Sequence, residues 1–186
     1  SGKARLRRLY QSGSGKVFLS HGTIDEAVFL NTSGGLTGGD GLSYALTLGD
    51  GLDVTATTQT AERAYATSGG LAQMNVTLSV GADANLAWLP QETLLYEGSN
   101  LRRTTDITLA TGANVLICEA VVLGRHAMGE APKQLAFEDH RRVLSSGRLV
   151  WADSLRINSH TLAQQSQTAL LAKARCFAIL ALIGPS

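Results

Sequence analysis

The sequence predicts a mainly β protein made of stacked, β-helix-like sheets with a helix near its C-terminal end. Three observations support this prediction: alternation of apolar and polar residues, glycine-rich turns at short intervals, and a weak repeat of about thirty residues. The chain has 186 residues, of which 44% are hydrophobic and 17% charged, so it can bury a core. We expect residues 1–186 to form a single domain.

The clearest strands are segments in which every second residue is apolar. In residues 71–80 one face carries four apolar side chains, namely Met74, Val76, Leu78 and Val80. Leu42–Leu48 shows the same period of two, which indicates a strand with one buried face. Val115–Leu123 is a continuous apolar run broken by Glu119, a pattern that suits a strand buried on both faces.

Three similar segments follow turns that begin at Gly49, Gly81 and Gly112. In each, a small residue and an aspartate or asparagine precede an apolar strand, and successive segments lie about thirty residues apart. A repeat of this length indicates stacked β-units, arranged either as a β-helix or as a layered sandwich.

The C-terminal segment has a different pattern. From Thr161 to Ile183 apolar residues recur at spacings of three, four or eight, which predicts a helix ended by Gly184 and Pro185. We expect this helix to cover one end of the sheets.

The composition argues against several classes of partner and compartment. A net charge of +1 gives no strong field for nucleic acid or an acidic membrane. Cys118 and Cys176 lack any paired spacing, which favours two reduced thiols. The basic segment Ser1–Tyr10 is not followed by an apolar run, and the longest apolar stretch, Cys176–Ile183, is shorter than the roughly 20 residues of a membrane span. We expect a cytoplasmic protein.

No motif of a common enzyme class is present in the sequence. Two glycine pairs end at Asp40, where a phosphate-binding loop would need a lysine. A Gly-x-Ser-x-Gly elbow is missing, and the four histidines are too scattered to form a zinc site of the usual spacing. The sequence therefore predicts neither a phosphate-binding loop, nor an α/β-hydrolase, nor a zinc site of the usual spacing.

Carboxylates in apolar or small-residue surroundings are the remaining candidates for a site. They are Glu62, Glu92, Glu119 and Asp153. A buried carboxylate is costly unless it is paired or binds a cation. Three interpretations stay open: salt bridges, a glycosidase pair formed by Glu92 and Glu119, or a passage for a divalent cation. The candidate salt-bridge donors are Arg63, Arg103, Arg125 and Arg156.

Five motifs in order resemble the UreD (UreH) family of urease accessory proteins. They are Leu30-Asn-Thr-Ser-Gly-Gly-Leu-Thr-Gly-Gly-Asp40, Thr57-Thr-Gln-Thr-Ala-Glu-Arg63, Trp88-Leu-Pro-Gln-Glu-Thr93, Leu123-Gly-Arg-His-Ala-Met-Gly-Glu130 and Arg148-Leu-Val-Trp-Ala-Asp-Ser-Leu-Arg156. The resemblance covers roughly Ala4 to Pro185, although the stretch from Ser12 to Ile24 is looser. Family members are usually longer, so the resemblance implies one UreD-type domain that lacks the family's C-terminal part.

The resemblance implies a non-catalytic metallochaperone scaffold that assists nickel insertion into apo-urease. It thus implies no catalytic residues and no tightly bound cofactor, with nickel bound only transiently. It implies a complex with a UreF-type partner and a UreG-type GTPase, and a polar tunnel for the ion. Matching positions for the tunnel are Asp40, Glu62, Glu92, Glu119 and Asp153, with Thr57, Thr58 and Gln59 as neutral polar neighbours. Arg63, Arg125 and Glu130 are expected to fix loops through hydrogen bonds.

Two other functions remain open at this point. The protein could be a docking scaffold in which the carboxylates only hold strands together. It could also be a β-solenoid glycoside hydrolase that uses Glu92 and Glu119, although only 5% of its residues are aromatic and available for sugar stacking.

Overall fold

The computed structural model describes residues 4–21 and 25–185, which form thirteen named strands and one short helix. The strands are β1 Gly15–His21, β2 Asp25–Asn31, β3 Gly41–Leu48, β4 Asp53–Thr58, β5 Glu62–Ala64, β6 Ala72–Val80, β7 Asn85–Trp88, β8 Thr93–Leu95, β9 Asn100–Leu109, β10 Asn114–Leu123, β11 Ala136–Ser145, β12 Arg148–Asn158 and β13 Cys176–Ile183. The helix α1 is Ser159–Ala163, and a single 3₁₀ turn covers His126–Met128. The described helix α1 is too short to span a membrane.

The strands stack in two sheets, as the sequence predicts. Sheet A has the order β1-β2-β4-β7-β10-β8-β5, with β13 also paired to β10. Sheet B has the order β12-β11-β9-β6-β3. The chain passes from sheet B to sheet A and back: β3 leads to β4, β6 to β7, and β9 to β10. One strand of sheet B together with the strand of sheet A that follows it forms one coil. Equivalent strands of successive coils pair in parallel, so the two sheets resemble a β-solenoid.

The repeat seen in the sequence corresponds to successive coils of this solenoid. Asp53, Asn85 and Asn114 stand at the same register on three neighbouring strands of sheet A. Asn85 Nδ2 donates to Asp53 Oδ1 at 2.6 Å, and Asn114 Nδ2 donates to Asn85 Oδ1 at 2.9 Å. Of the two stacked arrangements left open, the structure therefore has the β-helix-like one.

The hydrophobic core lies between the sheets and is built from the alternating residues. The inward side chains of β6 (Met74, Val76, Leu78 and Val80) are all at most 4% exposed. Trp88 on sheet A is fully buried and packs edge-on against Phe29, with 6.0 Å between ring centroids. Polar residues on alternate positions of β6 face solvent, so the period of two separates core from surface.

The predicted helix from Thr161 to Ile183 is wrong over most of its length. Helix α1 ends at Ala163, and Cys176–Ile183 forms strand β13, which pairs antiparallel with β10. The last eight residues of that prediction are a short, almost wholly apolar run, for which periodicity cannot distinguish a helix from a strand. The run instead completes a backbone ladder along β10.

Strand β10 also departs from the expectation that both of its faces are buried. Its inward residues, among them Val115 and Ile117, are fully buried, whereas the alternate outward residues, such as Leu116 and Cys118, are half-buried. Glu119 lies on the inward face. The charge that interrupts the apolar run therefore points into the core.

Candidate functional site

A network of charged side chains crosses the core between the two sheets. Its fully buried members are Glu119 on β10, Arg103 on β9, and Asp139 and Arg141 on β11, each at most 2% exposed. Asp153 on β12 joins the network from the end of sheet B, and its side chain is 33% exposed. The network thus leads from the interior to the protein surface.

Arg141 contacts three carboxylates at once. Its Nε donates to Glu119 Oε2 at 2.5 Å, and one terminal nitrogen donates to Asp153 Oδ2 at 3.0 Å. The other terminal nitrogen donates to Asp139 Oδ2. All nitrogen atoms of this guanidinium are therefore used by carboxylates on three different strands.

Arg103 forms the second centre of the network. It binds Asp139 in a bidentate manner, with Nε–Oδ1 and Nη2–Oδ2 distances of 2.9 and 2.6 Å. Its Nη2 also lies 3.6 Å from Glu119 Oε2, and its Nη1 donates to Thr93 Oγ1 at 3.0 Å. The planar fork of arginine matches a carboxylate in this way, which a lysine could not do.

The other carboxylate oxygen of Glu119 accepts hydrogen bonds from neutral groups. Trp88 Nε1 donates to Glu119 Oε1 at 2.9 Å, and Thr105 Oγ1 lies 3.3 Å from the same atom. Burial by itself raises the pKa of Glu119, but the charges of Arg103 and Arg141 outweigh burial and lower that pKa below its ordinary value. Glu119 is thus ionised in the core.

The network joins three carboxyl side chains to two guanidinium groups, so it holds one more acidic than basic side chain. Asp153 is the member with appreciable exposure and is therefore the one best reached by water.

The structure places the other predicted carboxylates outside this network. Glu62 is 8% exposed, and its two oxygens accept from Asn31 Nδ2 at 3.1 and 3.3 Å. Burial is the largest influence on Glu62 and raises its pKa, although the bonds from Asn31 and from the Arg63 backbone partly oppose this. Glu92 is half-buried and meets Glu62 through the backbone, since Glu62 N donates to Glu92 O at 3.0 Å.

Asp40 lies on the surface, where it closes a turn. Its Oδ2 accepts from the backbone N–H of Thr37 at 2.9 Å. The structure therefore brings Glu119 and Asp153 together through Arg141, and Glu62 and Glu92 together through the backbone. Asp40 contacts neither pair through the hydrogen bonds of the described residues.

The three neutral polar positions lie at the end of β4: Thr57 and Thr58 are its last two residues, and Gln59 follows it. Thr57 Oγ1 donates to Leu89 O at 2.7 Å, and Thr58 Oγ1 donates to Thr60 O at 3.1 Å. Gln59 is exposed and donates its backbone N–H to Phe29 O at 2.8 Å. The bonds of Thr57 and Gln59 connect neighbouring coils at the corner where β4 ends, whereas that of Thr58 stays within the turn.

Arg125 and Glu130 bridge the loop after β10. Arg125 Nε donates to Glu130 Oε2 at 2.7 Å, and the guanidinium lies 4.7 Å from the ring centroid of Tyr96. Glu130 Oε1 also accepts from Glu97 N at 3.0 Å. Arg63 Nη1 donates to Gly34 O at 3.3 Å, which attaches β5 to the glycine-rich turn.

Close packing requires glycines in the segment that ends at Asp40. A Cβ atom on Gly38 would overlap Thr67 Oγ1 and Gly69 O, and one on Gly35 would overlap the Tyr65 ring. Gly39 has a φ of +89°, which a residue with a side chain rarely adopts. The motif thus fixes a turn against the loop after β5.

No group of three or more histidine, cysteine, aspartate or glutamate side chains within residues 4–21 and 25–185 is arranged to hold a metal ion. A groove of about 300 Å³ lies on the outer face of sheet A, next to Leu116 and Leu182. A smaller cavity of about 80 Å³ lies near Leu162 and Arg175. None of the five predicted carboxylates lines either of these two cavities.

Sequence reasoning missed Asp139 and Arg141, the two residues that join the network together. Both lie on the inward face of β11, between Phe137 and Val143, and all four are buried. The period of two that begins at Phe137 was the signal that could have placed both charges inside. Of the predicted salt-bridge donors, Arg103 contacts Glu119, whereas Arg125 and Arg156 pair with other glutamates.

Comparison with known proteins identifies the family of the chain. The profile of the UreD urease accessory protein family matches residues 1–186. A urease accessory protein UreD of Cereibacter sphaeroides (strain ATCC 17025) is 53% identical over 186 residues, covering 99% of this chain and 68% of the relative. The UreD proteins of Dinoroseobacter shibae and Paracoccus denitrificans are 46% and 45% identical and cover 99% of the chain, which spans 65% and 67% of their lengths. Against two further Cereibacter sphaeroides relatives, the chain spans 60% and 58% of their length. The chain belongs to the UreD family of urease accessory proteins.

Proposed function

We propose that the protein is a non-catalytic scaffold that acts in urease maturation and assists nickel insertion into apo-urease. The observation that supports this most directly is the match of the UreD family over all 186 residues. The relatives carry the name urease accessory protein UreD, and the chain spans between 58% and 68% of the three Cereibacter sphaeroides proteins. The proposal therefore concerns the whole protein to which these residues contribute.

The proposal includes a complex with a UreF-type accessory protein and a UreG-type GTPase, assembled with apo-urease in the cytoplasm. Nickel is cargo in this scheme and is bound only in passing. Carboxylate oxygens without thiolate or clustered imidazole ligands hold borderline divalent ions loosely, which suits transfer. The carboxylates of Asp153, Glu62 and Glu92 are the candidate contact points for the ion.

The ion pairs favour a second candidate function, in which the carboxylates are structural. Glu119 is held by two guanidinium groups and an indole N–H, and its side chain is 1% exposed. A travelling ion would have to displace Arg141 from Glu119 before it could reach that carboxylate. In this alternative the protein positions its partners and forms no path for nickel.

One experiment separates the two candidates. We would co-express Asp153→Asn and Glu119→Gln variants with apo-urease and the other accessory proteins, then measure nickel per urease and the Tm of each variant. The matched control is Glu138→Gln, which alters two partly exposed ion pairs, with Arg102 and Arg156, on the outer face of β11.

A nickel path predicts that Asp153→Asn lowers the nickel content of urease while its Tm stays within about 2 °C of the parent value. A structural role predicts that the nickel content of urease decreases only in proportion to the decrease in the folded fraction of the scaffold. Full urease activation in cells that lack this protein would contradict the proposed function itself.

A further inference from the structure

The buried residue Thr93 lies between the charge network and Glu62. Its hydroxyl oxygen accepts a hydrogen bond from Arg103 Nη1 at 3.0 Å, and the residue is 2% exposed. Arg103 uses its Nε and Nη2 atoms for Asp139, so Thr93 supplies a neutral partner for the remaining nitrogen of this guanidinium. Thr93 thus holds one side of the arginine that links Asp139 to Glu119.

On the neighbouring strand, Glu62 occupies the position directly beside Thr93. Strands β5 and β8 pair in parallel with Glu62 opposite Thr93, and both side chains are buried on the inward face. Neighbouring strands lie roughly 4.8 Å apart, and a glutamate side chain has several rotatable bonds, so its carboxylate can reach the hydroxyl. Because Thr93 accepts from Arg103, its own hydroxyl proton stays available for an acceptor such as Glu62.

Polar contacts continue from Glu62 to the surface near the glycine-rich segment. Asn31 Nδ2 donates to both carboxylate oxygens of Glu62, at 3.1 and 3.3 Å. Asn31 Oδ1 accepts from the hydroxyl of Ser33 at 2.6 Å, and Ser33 is exposed. At the far end of the network, the side chain of Asp153 is 33% exposed. A row of polar side chains therefore runs from Ser33 to Asp153 and passes through Thr93.

Thr105 is a second buried threonine next to the network, but it has a different position. It is fully buried, and its hydroxyl lies 3.3 Å from Glu119 Oε1. Its partners on the neighbouring strands are Val76 and Arg141, so it lies within the network and not beside Glu62. Thr105 therefore serves as a matched control for Thr93.

We propose that Thr93 is a positioning residue that connects Glu62 to the charge network through Arg103. Its hydroxyl holds the guanidinium on one side and donates to Glu62 on the other. The inference rests on the proposed function, because it makes the carboxylates of Glu62 and Asp153 parts of one nickel-handling site. A valine at this position would leave Arg103 Nη1 without its partner in the core, whereas a serine would retain the hydroxyl.

A double-mutant cycle measures the connection directly. The equilibrium constant for unfolding in urea is measured for the full-length protein with and without Glu62→Gln, in the unmodified, Thr93→Val, Thr93→Ser and Thr105→Val backgrounds. We expect the effect of Glu62→Gln on this constant to change by at least about threefold when Thr93→Val is present. Thr93→Ser and Thr105→Val should change that effect by less than about twofold.

Nickel delivery tests what the connection does. Each Thr93 and Thr105 variant is co-expressed with apo-urease and the other accessory proteins, and the nickel content of urease is divided by the amount of folded scaffold. We expect Thr93→Val to lower this ratio by at least about threefold, because residues that orient ion-binding side chains affect transfer without touching the ion. Thr93→Ser and Thr105→Val should keep the ratio within about twofold of the parent value.

Two results would overturn the proposal. One is an equal effect of Glu62→Gln in the unmodified protein and in Thr93→Val, and the other is an equal nickel ratio for Thr93→Val and Thr105→Val. Loss of the coupling in Thr93→Ser would also contradict it, and this variant decides the question if Thr93→Val does not fold. Urease that gains its full nickel content in cells without the protein would instead refute the proposed function, while the unfolding cycle would still test the position of Thr93.

Discussion

Replacing Arg141 with methionine should destabilise the protein far more than the same change at the next residue. Arg141 is 2% exposed and is the guanidinium shared by Glu119, Asp139 and Asp153. Methionine retains much of the apolar volume but removes the charge and all of the donors. Glu119 and Asp139 would then share Arg103 alone, and Asp153 would lose its arginine partner.

The size of the effect follows from burial. Removing one partner of a buried ion pair typically costs about 3–5 kcal/mol, because the remaining charges stay desolvated and uncompensated. For a domain of this length, each kcal/mol lowers the Tm by roughly 2–4 °C. We therefore expect Arg141→Met to lower the Tm by about 6–20 °C.

Arg142→Met is the matched control. Arg142 is on the same strand but on the outer face, where its side chain is 59% exposed and pairs with Asp106 at 2.8 Å. Such pairs contribute little in water, so its Tm should stay within about 2 °C of the parent value. Thermal and urea unfolding of both variants measure the difference.

The pH dependence of the unfolding free energy is a second test of the same network. The pKa of Glu119 is depressed in the folded state, so its stabilising contribution is present above the ordinary glutamate pKa and is lost as the pH falls through the folded value. Arg141→Met should weaken this acid dependence. Similar unfolding free energies for the Arg141 and Arg142 variants at neutral pH would refute the argument that the network stabilises the core.

Three further changes test the remaining structural inferences. Glu62→Gln should reduce the fall in unfolding free energy that occurs as the pH rises above the ordinary glutamate pKa, because burial raises the folded pKa of Glu62 and the folded state binds a proton more readily. Urea unfolding from pH 4 to 8 measures how the unfolding free energy changes with pH, and an unchanged pH dependence contradicts the assignment. Gly38→Ala should lower the Tm by several degrees, about 2–4 °C per kcal/mol of strain, whereas Gly41→Ala, which has open space around it, should not; equal Tm values would exclude the packing argument. Trp88→Phe should cost about 1–3 kcal/mol, since Glu119 loses an indole donor in the core, and a neutral result in urea unfolding would count against that hydrogen bond.

The fold could be predicted where the hydrophobic period was unambiguous. The alternation around Met74 and Leu78 predicted a strand with one face in the core and the other toward solvent, which is what β6 shows. The segments at Gly49, Gly81 and Gly112 predicted repeated β-units, and the strands that follow them lie in register. The prediction failed at Cys176–Ile183, where both faces of the strand are apolar and only pairing with β10 decides the conformation. Tertiary contacts, which the local sequence does not contain, made that choice.

The candidate site could be predicted only in part. Glu119 was recognised because a charge inside an apolar strand requires compensation. Its partners come from β7, β9 and β11, and the distance of Arg141 from Glu119 along the chain gives no sign that they touch. The carboxylates near Glu62 are separated from Asp153 by the stacking order of the coils, which the motifs alone do not specify.

The ion pairs of Arg141 with carboxylates on three strands have a consequence for how the solenoid unfolds. A stack of similar coils would ordinarily melt by fraying from either end, with each coil released almost independently. Ionic contacts join β9, β10, β11 and β12, so these strands should open together. Releasing one of them would leave charges without partners in the others. Amides of these four strands should therefore exchange as one cooperative block, while the first coils, around β2 and β4, open separately and earlier.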